Sequence, residues 1–180
     1  MKPKPTNFAD LIYLESGSEM QQRGIVAIRK SGVFDILKPF DPVLAGTLPL
    51  DLFTPTSDLD ILCYAPDPLT FFDFAKSALG HFEKFRIYQV IINGEEAIIV
   101  NFFFGGFAFE VFAQKIPVTE QTAYRHLLIE HQILQQQGES FREKVMDLKL
   151  KGVKTEPAFA YVLQLKGDPY EALLHYLPPD

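Results

Sequence analysis

Apolar positions along the chain recur at two spacings, and the switches between them divide it into elements. After Asn7, a residue type that caps helices, Phe8, Leu11, Ile12 and Leu14 suggest a short helix, and Ser18 caps a second one reaching about residue 30, with Gly17 and Gly32 as punctuation. Beyond Pro39 the run Val43-Leu44-Ala45, ending at Gly46-Thr47, predicts a buried strand, and Leu59-Asp60-Ile61-Leu62-Cys63-Tyr64 predicts another across a loop containing Pro and Thr. Helical spacing returns with Leu69, Phe72, Ala75 and Leu79, and Gly80 ends that run. Three β segments over 85–113 are separated by Asn93-Gly94, a type I′ turn signal, and by Gly105-Gly106, the pattern of an antiparallel meander. A long helix then opens at Thr119 or Glu120 and breaks at Gly138, a charged amphipathic helix follows to about Lys151, and Gly152 stops it. Two short helices are expected over 156–165 and 169–176, the second capped by Asp168 with Pro169 at its first position. This order predicts one α/β domain over 1–180, a mixed β-sheet flanked by helices with a helical C-terminal section from about residue 119.

Composition sharpens that outline. Of 17 Phe, six fall between Phe102 and Phe112, which implies strands packed on both faces. Seventeen basic against 23 acidic side chains give a formal charge of −6, so long nucleic acid and anionic membrane are not expected partners. The single Cys63 excludes an internal disulfide, and Met1 leads into Lys2-Pro3-Lys4-Pro5 rather than an apolar signal segment, so a reducing cytoplasm is the expected compartment. No apolar run approaches the ~20 residues of a membrane-spanning helix.

Candidate chemistry concentrates where the first strand ends and the second begins. Side chains alternate along a strand, so Asp58 and Asp60 project from one face while Leu59 and Ile61 enter the core. Two carboxylates this close repel each other unless a cation lies between them, and oxygen donors suit Mg²⁺ or Mn²⁺. Gly46 leaves room for a phosphate to approach, and Thr47 adds a hydroxyl beside it. Glu110 is an acidic residue inside the apolar run Phe109-Glu110-Val111-Phe112, which requires either an arginine partner or a metal. Arg125 is the candidate partner, or alternatively a triphosphate contact.

Gly46-Thr47 followed by Asp58-Leu59-Asp60 resembles the signature of the nucleotidyltransferase superfamily, in which a strand ends in Gly-Gly or Gly-Ser and a later strand carries Asp-x-Asp or Asp-x-Glu. Thr47 departs from that pattern by one methyl group. A broader resemblance is to the bacterial family labelled domain of unknown function 4269, regarded as nucleotidyltransferase-like. It is carried by Asp41-Pro42-Val43-Leu44-Ala45-Gly46-Thr47 through Ser57-Asp58-Leu59-Asp60-Ile61, by Ala123-Tyr124-Arg125-His126 with Ile129-Glu130-His131, and by Lys154-Thr155-Glu156-Pro157-Ala158-Phe159-Ala160 with Gly167-Asp168-Pro169-Tyr170-Glu171-Ala172-Leu173-Leu174. The resemblance implies a nucleotidyltransferase-like sheet and Asp58, Asp60 and Glu110 as catalytic metal ligands. It further implies Gly46, Thr47, Ser57 and Arg125 as substrate-binding residues, and a nucleoside triphosphate with an unspecified hydroxyl acceptor as substrates. The alternative is a non-catalytic binding or regulatory module of the same fold, resembling half of a toxin–antitoxin pair.

Other polar residues read as ordinary surface. His126 and Glu130, four apart, have the spacing of an exposed ion pair, and Lys149, Lys151 and Lys154 that of a solvated helix end favoured by the helix dipole. His81, His131, His175 and Cys63 show no zinc spacing, and phosphate loops of the Walker type, dinucleotide fingerprints and nucleophile elbows are absent from the sequence. The segments at 124–126 and 154–156 are expected to border the same cleft as the aspartates.

Overall fold

A computed structural model describes residues 7, 8, 10–92 and 94–176. The first long helix, α1 (Glu19–Ser31), starts with a reciprocal cap in which the Ser18 hydroxyl accepts from the Gln21 N–H and the Gln21 side chain accepts from the Ser18 N–H. Gly32, left-handed, ends α1 and leads into the short α2 (Val33–Leu37). Strands β1 (Val43–Ala45) and β2 (Leu59–Tyr64) precede α3 (Pro68–Leu79), which Asp67 caps. The meander is β3 (Glu83–Ile92), β4 (Glu95–Phe104) and β5 (Phe107–Gln114), and four helices follow: α4 (Thr122–Gln137), α5 (Glu139–Leu150), α6 (Thr155–Val162) and α7 (Pro169–Leu174).

Among the described residues the strands form one mixed sheet in the order β1-β2-β5-β4-β3, with β2 parallel to β5 and every other pair antiparallel. Gly105 and Gly106 both have positive φ, as a two-residue type I′ turn between β4 and β5 demands; Asn93 of the other turn lies outside the described residues. Alternation sends Leu59, Ile61, Phe109 and Val111 to one face, where they join Ile25 and Ile28 of α1 and Phe71 and Ala75 of α3 in a first core. Phe82, Phe102 and Phe109 stack there, with ring centroids 4.5 and 4.7 Å apart. The opposite face contributes Ala45, Leu62 and Phe112 to a second core with Leu127, Val145, Phe159 and Leu173 of the C-terminal helices. Strand β5 is therefore covered on both sides, as expected, whereas Ile99 and Phe103 on the second face of β4 are only half-buried.

Several boundaries differ from the expectation. Asn7 caps no helix: its side chain donates to Asp10 Oδ2, and Asp10 Oδ1 accepts the N–H of Ile12, which starts a 3-10 turn at Ile12–Ser16. The long helix begins at Thr122 rather than at Thr119 or Glu120, because Val118–Glu120 close a separate 3-10 turn and Gln121 is extended. Helix α6 stops at Val162, and Gln164 beyond it turns left-handed. No helix of the described residues is long and apolar enough to cross a membrane.

Candidate functional site

A polar row crosses the second face of the sheet. Asp60 lies in register with Ala45 on one side and Glu110 on the other, and paired strands run about 4.8 Å apart. Glu110 Oε2 accepts from Asn101 Nδ2 at 3.1 Å, and Asn101 Oδ1 accepts from the Tyr88 hydroxyl at 3.2 Å. Asparagine, and not an arginine, is thus the partner of Glu110. At the end of β1, Gly46 has φ +68°, and a Cβ there would fall 1.9 Å from Asp60 Oδ2. Only glycine leaves the space that the Asp60 carboxylate occupies. The Thr47 hydroxyl is buried with no hydrogen-bond partner among the described residues, whereas Ser57 Oγ accepts from the Thr54 N–H at 3.0 Å in the turn that delivers Asp58 to β2.

Gly46, Thr47, Ser57, Asp58, Asp60 and Glu110 line a cleft of about 720 Å³ whose opposite wall is helical. His126, Glu130, Lys149, Lys154, Thr155 and Glu156 reach it from α4, the end of α5 and the start of α6. His126 Nε2 is 3.0 Å from the Tyr170 carbonyl and its Nδ1 is 3.7 Å from Glu156 Oε1, while Lys149 Nζ donates to Thr155 Oγ1 at 2.7 Å. Gln121 Nε2 donates to the carbonyls of Cys63 and Ile116, both at 2.9 Å, tying the start of α4 to the sheet.

Two surface readings are corrected here. His126 and Glu130, each 4% exposed, are not a solvated ion pair, and Lys149, 9% exposed, is not a solvated helix end. Of the expected cleft segments, Lys154, Thr155, Glu156 and His126 line it, but Arg125 is exposed and outside the lining, and Tyr124 packs against the second core. At about 100° per residue, the face of α4 that presents Ala123, His126, Leu127 and Glu130 inward turns Arg125 away. A signal for the missed residues existed: Glu130 interrupts the apolar stripe of Leu127 and Leu134, and Lys149 continues the stripe of Phe141 and Val145.

Burial, then the charges of Glu110, Asp58 and Glu156, push the Asp60 carboxyl up to about 8, against the opposing effect of Lys149. Burial also raises Asp58. Glu130 is held well above the ordinary carboxylate range by burial and by Glu156, with Lys149 opposing. Lys149 is pulled down by burial, although Glu130, Glu156 and Asp60 favour its charge. The sheet wall is thus a set of hard oxygen donors in mutual repulsion, which a divalent cation relieves, so its donor chemistry fits Mg²⁺ or Mn²⁺. Among the described residues no three carboxylate, imidazole or thiol groups converge into a ready-made cage. The fit rests on donor type and charge.

A family model described as Domain of unknown function (DUF4269) matches residues 26–176. Among solved structures the chain is similar to the GLD-2/RNP-8 complex, with TM-score 0.54 and 13% identity over 85% of this chain and 61% of that one. It is also similar to the Cid1 poly(U) polymerase with Mg and 3′-dATP bound, with TM-score 0.53 and 15% identity over 87% of this chain and 52% of that one. At such identities the likeness establishes the nucleotidyltransferase-like fold, and this chain spans 61% and 52% of the length of those chains. No curated protein matches the sequence.

Proposed function

This chain belongs to the DUF4269 family of domains of unknown function, and we propose that it is a divalent-metal-dependent nucleotidyltransferase that moves a nucleotidyl group from a nucleoside triphosphate to a hydroxyl acceptor. The observation that carries this reading is the direct register of Asp60 with Glu110 on parallel strands, beside Asp58, on a cleft whose edge is the left-handed Gly46. The bound Mg and 3′-dATP of the Cid1 polymerase support it by analogy of fold.

In this reading Asp58 and Asp60, with Glu110, would hold Mg²⁺ or Mn²⁺, which would supply positive charge against that of the triphosphate and of the departing pyrophosphate. Thr47 presents its unpartnered hydroxyl beside Gly46 to a phosphate oxygen, and Ser57 fixes the turn that aims Asp58. Lys149 and Lys154 supply positive charge from the facing wall, the role that the sequence assigned to Arg125. The acceptor oxygen bonds to the α-phosphorus as the bond to the bridging oxygen breaks, pyrophosphate leaves, and the acceptor's proton passes to a carboxylate oxygen of the sheet wall. Positioning and fixed charge do most of the work, since the side chains form no covalent bond to the substrate.

The test is incubation of the full chain with each α-labelled nucleoside triphosphate and Mg²⁺ or Mn²⁺. Pyrophosphate release, or transfer of label to the protein or an added hydroxyl compound, is expected, with a loss of at least 100-fold in a folded Asp60→Asn variant. Absence of both with all nucleotides, or equal turnover in the variant, overturns the catalytic reading.

A further inference from the structure

The helical wall offers hydrogen-bond acceptors that have no donor among the described residues. Glu130 Oε1 and Gln121 Oε1 are buried, belong to residues that line the cleft, and have no hydrogen-bond partner among the described residues. Gln121 has already committed its amide N–H groups to two carbonyls, so its oxygen can only accept. Buried polar atoms are almost always paired, and an exception inside a cleft marks a place where a ligand completes the pairing.

Charge points the same way. The helical wall sets Glu120 and Glu156, with the buried carboxyl group of Glu130, against Lys149 and Lys154, and the Lys149 ammonium already donates to Thr155. Across the cleft, Glu95 is answered by Lys115, but Asp58, Asp60 and Glu110 add three more carboxyl groups. Even with a divalent cation on the sheet wall, a triphosphate leaves the helical wall's glutamates beside further negative charge. An anionic second substrate, such as a nucleic acid end, meets repulsion from these carboxyl groups.

The geometry points to the helical wall as the acceptor subsite for a small hydroxylated amine, whose ammonium group donates to Glu130 and Glu156 and whose hydroxyl faces the carboxylates of the sheet. His126 stands beside Glu156, its Nδ1 3.7 Å from Glu156 Oε1, while its Nε2 is fixed on the Tyr170 carbonyl. Assignment of this ligand as the acceptor rests on the nucleotidyltransferase reading, whereas its binding does not.

The test is calorimetric or NMR titration of the full chain at pH 7, without nucleotide, with glucosamine, N-acetylglucosamine and glucose. Glucosamine is expected to bind at least tenfold more tightly than the other two, and Glu130→Gln to reduce that preference at least fivefold, with Glu156→Gln as the second variant. Equal affinity for the three sugars in the parent protein overturns the subsite, whether or not either variant folds. So does tighter binding of hexauridylate than of glucosamine in Mg²⁺, which assigns the wall to nucleic acid. A separate titration with a non-hydrolysable nucleotide and Mg²⁺ keeps the two readings apart: amine binding without nucleotide binding sinks the transferase and leaves the subsite, and the converse sinks only the subsite.

Discussion

Asp60 keeps its proton up to about pH 8 in the folded protein, because burial and the charges of Glu110, Asp58 and Glu156 oppose its ionisation and only Lys149 favours it. In the unfolded chain the same carboxyl ionises near the ordinary value of about 4. Between those limits the folded state binds more protons, so this group's contribution to stability falls as pH rises from about 4 and levels off above about 8. Asp60→Asn removes the effect. In chelator, urea denaturation is expected to show the variant equal to the parent near pH 4 and more stable near pH 8, by up to about 5 kcal/mol, the free-energy equivalent of moving the carboxyl from about 4 to about 8. A difference that does not grow with pH would mean that Asp60 ionises like a surface carboxylate. The motif Gly46-Thr47 with Asp58-Leu59-Asp60 was legible at this scale because its spacing is local. What it hid is that Gly46 makes room for Asp60 itself, since the two meet only through the pairing of β1 with β2.

Helices α4 and α5 show why part of the site escaped a reading of local patterns. Their inward faces are apolar below the cleft and polar where they line it, so Glu130 and Lys149 occupy core positions with surface chemistry. Period alone does not separate a polar residue facing a cleft from one facing solvent; the pairing of α4 and α5 against the sheet does. Removing one member of such a buried set leaves the other charges uncompensated, whereas replacing opposite partners together by apolar groups is often neutral or stabilising. Lys149→Met is therefore expected to destabilise the protein by about 1–3 kcal/mol at pH 8, where it leaves Glu130 and Glu156 without their opposing charge. Glu130→Leu in the same chain is expected to recover most of that loss by extending the stripe from Leu127 to Leu134. The double-mutant cycle from urea denaturation checks it, and additive effects would mean that the two side chains do not interact.

At the scale of the whole molecule, the meander and the helical C-terminal section were readable from turns and periodicity, but the parallel pairing of β2 with β5 was not. Forty-two residues lie between Tyr64 and Phe107, and nothing local says that β5 returns past β4 to lie beside β2. That return brings Glu110 next to Asp60, a neighbourhood implied beforehand only by family resemblance. It also makes the site a property of the whole fold, because the sheet supplies carboxylates and the C-terminal helices supply the facing wall. A ligand that binds only the folded chain stabilises it by about 2.7 kcal/mol at one hundred times its dissociation constant. For a chain of this size that corresponds to a rise in Tm of roughly 5–10 °C. Mg²⁺ or Mn²⁺ with a non-hydrolysable nucleotide is therefore expected to raise the Tm of the parent by several degrees and to lose that effect in chelator. Asp58→Asn, Asp60→Asn and Glu110→Gln keep the shape of each side chain but remove the charge. Each is expected to melt at or above the parent's temperature without ligand, because like-charge repulsion is relieved, and to gain little when metal and nucleotide are added. If these carboxylates instead serve the fold through hydrogen bonds such as that from Asn101 to Glu110, the amide variants melt lower by the equivalent of about 1–3 kcal/mol. In that case metal leaves the parent unmoved, and destabilised variants beside a metal-insensitive parent would remove the metal site and the transferase reading with it.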